Sequence, residues 1–211
     1  MKLLILLSGC AQNYHVTNPP TTPPAEPPGE TLDAFGNAPD WATCGEAYAG
    51  WYYNLTDDPE ALAIGDDGPE VVTPGDVDWW DAANQSFVRA DTSLVMGSSW
   101  WPVDDGLSGD PDYFAVRWTA WFRSEHSGDV TFALTAATDA WVYLGDTLVA
   151  DIEASPTSTS QTFDVSVDSG VYKLDIRFAQ RVARESAFRF RAVSEDIAIC
   201  YPDFSSGDSG G

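Results

Sequence analysis

The sequence predicts an all-β domain, an antiparallel β-sandwich or barrel. Three neighbouring segments within residues 113–151 alternate apolar and polar side chains, which is the period of a half-buried strand. Short polar turns separate these segments, and the pair Gly145-Asp146 inside the third is a strand–turn–strand signature. Strand periodicity returns around Phe163 and again from Gly170 onward. Successive strands with tight turns between them favour antiparallel pairing.

The segments follow one another in a regular order. In the first, the residues on the core side are Phe114, Val116, Trp118, Ala120 and Phe122, and those on the other side include Arg117, Thr119 and Arg123. In the second, the core side holds Val130, Phe132 and Leu134. The third carries Trp141 and Tyr143 before the turn and Leu148-Val149 after it. Upstream, the aromatic-rich residues 47–54 predict the first strand.

Length and charge limit the function classes. A chain of 211 residues is long enough for one domain with extensions and a full core. It has 33 acidic and 10 basic residues, a formal net charge of -23. Such a surface repels phosphates, which excludes nucleic acid as a partner, and it favours divalent cations. Six basic residues fall on predicted strands, and we expect them to pair with acidic residues across strands rather than to form an anion site. They are Arg117, Arg123, Lys173, Arg177, Arg189 and Arg191.

The N-terminus resembles a bacterial lipoprotein signal. Lys2 and a short apolar run precede Leu7-Ser8-Gly9-Cys10, in which Cys10 would receive the lipid. The alternative is a buried core segment. Residues 10–40 are rich in Pro and Thr and cannot bury enough apolar surface to order themselves, so they predict a disordered tether. The expected organisation is a signal over 1–9, the tether over 10–40, a β domain over 41–204 and a disordered tail over 205–211.

Two cysteines remain once Cys10 is assigned to lipid. Cys44 lies just before the first predicted strand and Cys200 just after the last. In an exported chain we expect a disulfide between them, which would join the two ends of the domain. The alternative is two separate buried thiols.

Several phrases in this order resemble the PA-fourteen (PA14) family, named after the N-terminal part of the toxin protective antigen. The phrases are FAVRWTAW at 114–121, SGDVTF at 127–132, DAWVYL at 139–144, LVAD at 148–151 and GVYKLDIRF at 170–178. FRF at 188–190 also matches, and FVR at 87–89 and WWP at 100–102 fit the entry into the domain, so the resemblance covers roughly residues 50–193. The resemblance implies an antiparallel, jelly-roll-like sandwich or barrel.

The resemblance also implies a site in the loop before the aromatic strand. Many members have adjacent aspartates there, a pair to which the resemblance would assign calcium and sugar binding. This chain has Ala136-Ala137-Thr138-Asp139, which keeps one carboxylate. Calcium takes several oxygen ligands, so the expected ligand set adds the acidic loop that enters the first segment. The expected metal ligands are Asp139, Asp104, Asp105, Asp110 and Asp112, and a solvated loop is the alternative.

Sugar contacts are expected from the same end of the domain. Tryptophan rings in loops can stack on the apolar faces of sugars, and a tryptophan doublet on a strand points to opposite faces. The expected ligand-binding residues are Thr138, Asp139, Trp100 and Trp101. Trp79 and Trp80 also lie in or near loops. Most tryptophans are expected in the core, and the hypothesis is that at least one exposed loop tryptophan contacts glycan.

The predicted function is carbohydrate recognition or adhesion without catalysis, on a lipid anchor at the bacterial cell envelope, in the outer membrane or exposed at the surface. No nucleophile elbow, phosphate loop or zinc spacing is present, and His126 is interpreted as a solvated turn residue. The partners would be a glycan or a surface protein, with the membrane reached through the lipid alone. The main alternative is a structural or protein-binding module of a surface assembly, and a glycosidase is the third.

Overall fold

The structure is a computed structural model. It describes residues 44–45, 47–55, 64–65, 68–69, 71–97, 101, 109–153, 157–182, 187–195 and 197–201. The predicted signal, tether and tail lie outside these residues. In the described part of the chain, no helix is long and apolar enough to cross a membrane.

Thirteen strands account for most of the described chain. They are β1 (Tyr48–Asn54), β2 (Ile64–Gly65), β3 (Gly68–Pro69), β4 (Gln85–Asp91), β5 (Val95–Met96), β6 (Phe114–Ser124), β7 (Gly128–Ala136), β8 (Asp139–Leu144), β9 (Thr147–Ile152), β10 (Thr159–Val167), β11 (Gly170–Gln180), β12 (Phe188–Ala192) and β13 (Ile197–Cys200). A single-turn 3-10 helix, Ala82–Asn84, precedes β4.

The strands form two main sheets. The large sheet has the order β4-β1-β6-β11-β8-β9, and β13 also pairs with β6. The small sheet has the order β10-β7-β12-β5, and β2 pairs with β3 separately. Every pairing of neighbours in these sheets is antiparallel. The predicted all-β, antiparallel, sandwich-like fold is confirmed.

The main core lies between the two sheets and is formed by the alternating residues that the sequence places on one side of each strand. From β6 it takes Phe114, Val116, Trp118, Ala120 and Phe122, and from β7 it takes Val130, Phe132 and Leu134. Aromatic ring pairs join the sheets, and the rings of Trp118 and Phe188 stack with their centroids 4.8 Å apart. A sandwich core requires that alternate side chains of each strand point between the sheets, as these do.

A second core covers the outer face of the large sheet. It holds Ala49, Trp51, Tyr53, Leu55, Trp79, Trp80, Ala115, Trp141 and Ala179. Trp79 and Trp80 come from the connection before β4, and Trp80 packs edge-on against Trp141 at 5.7 Å. Strand β6 is buried on both faces, since Ala115 belongs to this second core and Thr119 and Trp121 are buried as well. The prediction of a half-buried strand is wrong for β6, because its outer side is also covered.

The turn between β8 and β9 follows the sequence prediction. Gly145 adopts φ +59°, in the left-handed region that glycine enters without steric cost, and Asp146 completes the two-residue turn. Strand β8 therefore pairs directly with β9 and presents Trp141 and Tyr143 on the outer face.

The two ends of the domain meet on one edge of β6. Strand β11 pairs along the whole of the other edge, so β1 and β13 lie end to end on the remaining one. The disulfide between Cys44 and Cys200 closes the junction, with Cα atoms 5.0 Å apart. The Gly45 amide also donates a 3.0 Å hydrogen bond to the carbonyl of Tyr201. The predicted disulfide is confirmed.

Candidate functional site

The loop predicted to bind calcium and sugar, Ala136-Ala137-Thr138-Asp139, is buried. Thr138 and Asp139 have no exposed surface. The Thr138 hydroxyl donates a hydrogen bond to the carbonyl of Ala179, opposite Asp139 in the β8–β11 register. Both side chains therefore make contacts inside the domain and do not reach solvent.

Asp139 is paired with an arginine that the sequence reasoning did not select. Arg181 Nη1 lies 3.4 Å from Asp139 Oδ2, and both side chains are 0% exposed. The Arg181 guanidinium also lies over the ring of Trp79, 5.2 Å from its centroid. Its position directly after the end of β11, two residues beyond the Ala179 that pairs with Asp139, is the signal that could have identified it.

The acidic loop before β6 is only partly described. Asp104, Asp105 and Trp100 lie outside the described residues. Asp110 Oδ1 accepts a 2.9 Å hydrogen bond from the Asp112 amide. Burial and the neighbouring charge of Asp110 raise the pKa of the Asp112 carboxyl above its usual value.

The calcium ion that the family resemblance implies does not fit at Asp139. The carboxylate is enclosed and already carries a guanidinium as its counter-charge. Among the described residues, no group of three His, Cys, Asp or Glu side chains is placed to hold a metal ion. Calcium requires several oxygen ligands around one point, whereas the Asp139 carboxylate lies beside a positively charged guanidinium.

The tryptophans proposed for sugar contact are core residues where they are described. Trp101 is 1% exposed and packs against Phe87 and Phe114, with ring centroids 5.2 Å and 5.4 Å away. Trp79 and Trp80 are 1% and 9% exposed. The core placement that was expected for most tryptophans holds for these three.

A charged and aromatic patch lies on the outer face of the large sheet. Arg117 donates two hydrogen bonds to Asp175, at 2.9 Å from Nε and 2.6 Å from Nη2, and Arg177 Nη2 donates a third at 3.1 Å. The Arg177 guanidinium lies 4.9 Å from the ring centroid of Tyr143 and 5.3 Å from that of Trp80. We call Arg117, Asp175, Arg177 and Tyr143 the outer-face patch. The side chains of both arginines are 20% exposed.

Electrostatics in this patch favour the ionised state of Asp175. Burial alone would raise its pKa, but the hydrogen bond and charge of Arg117, together with Arg177, hold the pKa below its ordinary value. The predicted cross-strand pairing of basic with acidic residues is confirmed for Arg117, on β6, whereas Arg177 contacts Asp175 within its own strand, β11. Arg123 instead reaches Glu125 in the following turn, at 3.8 Å.

A second polar network lies at the edge of the main core. The buried Asp91 accepts hydrogen bonds from the Tyr52 hydroxyl, the Trp118 indole and Arg89 Nε, each at 2.7 Å. Gly50 lies against this network, since a Cβ there would be 2.6 Å from Asp91 Oδ2. The network joins β1, β4 and β6, so its role is structural.

A surface cleft of about 300 Å³ lies at one end of the sandwich, beside the β6–β7 turn. It is lined by Glu125, His126, Glu195, Ile197 and Ala198. Glu125 and His126 are exposed there, as the prediction of a solvated turn residue requires for His126. The cleft lacks the enclosed, convergent polar groups of a small-molecule site.

Comparison with known proteins decides the family. The model of the PA14 domain matches residues 47–206. The chain belongs to the PA14 domain family. No curated protein matches the chain.

Solved structures share the PA14 fold at low sequence identity. The PA14 domain of the MpAFP antifreeze protein is 12% identical over 82% of this chain and 88% of its own, with a TM-score of 0.51. A subtype-switched epithelial adhesin A domain from Candida glabrata, solved with beta-lactose, is 11% identical over 83% and 96%, also with a TM-score of 0.51. An anti-sigma factor domain-containing protein is 19% identical over 75% of this chain with a TM-score of 0.50, and the chain covers 48% of it.

Proposed function

We propose that this PA14 domain is a non-catalytic carbohydrate-binding or adhesion module. The observation that carries the proposal is the outer-face patch. It combines a half-buried Tyr143 ring with the planar hydrogen-bonding groups of Arg177, Arg117 and Asp175. An aromatic ring can pack against the C–H side of a sugar ring, while the partly exposed arginines, which the buried Asp175 holds in fixed positions, can make directional hydrogen bonds with its hydroxyls.

Family membership and fold support the same class. The Candida glabrata adhesin domain that shares this fold was solved with a bound disaccharide, beta-lactose. The carboxylate loop expected for sugar is closed in this chain. The proposal therefore moves the contact surface to the outer face of the large sheet, where polar and aromatic groups reach solvent.

A glycan array with three matched variants tests the function and its location. Tyr143→Ala and Arg177→Met change the patch, and Arg189→Met changes an exposed arginine on the small sheet. We expect the wild type and Arg189→Met to give the same glycan signal, and the two patch variants to lose it. A folded wild type that binds no glycan would refute the function. A glycan signal that all three variants retain would refute only the location.

The alternative function is a structural or protein-binding module of a surface assembly. The observation that favours it is the buried loop at Asp139. The carboxylate that the resemblance assigns to ligand binding is paired with Arg181 of the same chain. Crosslinking on the surface of intact cells, followed by mass spectrometry of the attached protein, tests this alternative. A silent array together with one reproducible protein partner would select it, and hydrolysis assays on common glycans test the glycosidase reading.

The proposed location is the bacterial cell envelope, through a lipid on Cys10 and the tether over 10–40. The lipoprotein-like sequence around Cys10 supports it. Intact-mass measurement of the membrane-extracted protein should show the added lipid, and Cys10→Ser should abolish it. Recovery of the wild type from the soluble fraction with an unmodified cysteine would refute the anchor.

A further inference from the structure

Asp139 and Arg181 form the most enclosed ion pair among the described residues, with neither side chain exposed. A buried carboxylate without a counter-charge is strongly destabilising, so a domain that keeps one must supply a cation. Here the cation comes from the chain itself. The Arg181 guanidinium lies 3.4 Å from the carboxylate and also packs over the Trp79 ring, 5.2 Å from its centroid.

A divalent cation at the same carboxylate would meet this guanidinium at short range. Two positive charges a few ångströms apart in a low-dielectric interior repel strongly, and guanidinium cannot lose its proton to relieve them. Trp79 belongs to the connection that covers the outer face, so moving Arg181 away would also disturb the second core. The pair is electrically neutral as it stands.

We propose that the Arg181 guanidinium takes the place of a calcium ion at Asp139, so that this PA14 domain completes its loop before β8 without a metal. The site is thus an internal ion pair instead of a metal-binding loop. The inference concerns stability and calcium, and it holds whether or not the proposed glycan function is correct.

The first test needs no variant. The melting temperature of the full chain is measured in millimolar calcium and in excess chelator, and isothermal titration with calcium follows. We expect equal melting temperatures and no calcium binding that depends on Asp139. A calcium-induced rise in melting temperature that disappears in Asp139→Asn would overturn the proposal, whereas a rise that persists in that variant places calcium elsewhere and supports it.

The second test is a double-mutant cycle on the pair. Arg181→Met removes the positive charge that lies 3.4 Å from the buried carboxylate, and Asp139→Asn removes the negative charge beside the buried guanidinium, so each should lower the melting temperature sharply. The double variant should lose less stability than the two single variants lose together. Arg181→Lys, which keeps the positive charge, should lose less stability than Arg181→Met. Additive losses would overturn the proposal, because they would show that Arg181 contributes packing alone.

The array experiment separates this inference from the proposed function. If the domain binds a glycan, its signal should be the same with calcium and with chelator. A signal that vanishes with chelator in the wild type and returns with calcium, through Asp139, would overturn the inference and leave the function intact. Loss of all glycan signal would refute the function and leave the melting experiments to decide the inference.

Discussion

Replacing Asp175 by asparagine would leave two guanidinium groups facing each other across the large sheet. Arg117 and Arg177 are direct partners in the β6–β11 register, and Asp175 bonds to both. Asparagine has nearly the same shape, so the change removes the negative charge and little else. The neutral side chain can still accept one hydrogen bond but cannot balance two cations.

The expected loss follows from burial. Removing one partner of a buried ion pair costs on the order of 3–5 kcal/mol. The Asp175 side chain is 7% exposed and those of the arginines 20%, so partial solvation places this case near the lower end, at about 3 kcal/mol. For a domain of this size that corresponds to a fall in melting temperature of roughly 6–12 °C.

The assay is urea and thermal unfolding at neutral pH, with Asp164→Asn as the control. Asp164 is exposed and accepts a 2.6 Å hydrogen bond from Thr131, so its change should stay within about 0.5 kcal/mol. Adding Arg177→Met to Asp175→Asn should restore part of the loss, because it removes one of the two like charges. An Asp175→Asn loss no larger than the control's would refute the reasoning.

Three further outcomes are expected. Replacing both disulfide cysteines by serine should cost about 5 kcal/mol in urea unfolding, since the bond closes a sequence separation of 156 residues; an unchanged midpoint would contradict this. Gly50→Ala should cost roughly 1–3 kcal/mol, because its Cβ would lie 2.6 Å from Asp91 Oδ2, while Gly75→Ala, with open space around it, should be neutral. Because the pKa of Asp175 is lowered in the folded state, its ionised carboxylate stabilises the domain at pH values above about 4, the ordinary pKa of aspartate. This stabilisation is lost as the pH falls through and below about 4, and the acid unfolding profile of Asp175→Asn should lack it.

The strands were predictable because their signal is local. Alternation along β6, β7 and β8 is read within a few residues, and the turn at Gly145 has its own signature. The second core was not predictable in this way. Its cover comes from Trp79 and Trp80, in a connection with no periodicity of its own, so nothing local tells which strand it will lie on.

Whether Asp139 could bind a ligand depends on a contact between residues that are distant in the sequence. Asp139 and Arg181 are 42 positions apart, and no spacing rule connects them. Only the pairing of β8 with β11 brings Asp139 beside Ala179 and so close to Arg181. The same holds for Trp101, because the sequence of the doublet does not tell which of its two rings faces the core, and only the packing against Phe87 and Phe114 decides it.

The disulfide at the meeting point of β1 and β13 sets how the domain responds to mechanical force. A pull applied through the segment before Cys44 and any attachment after Cys200 would travel through one covalent bond, so the sheets between them would carry no load. Reduction of that bond would move the load onto the hydrogen bonds that β1 and β13 make with β6, and the 156-residue separation could then extend by roughly 500 Å. For a module that acts in adhesion, the bond would keep the binding face folded under tension, and its redox state would decide whether the domain is stiff or extensible.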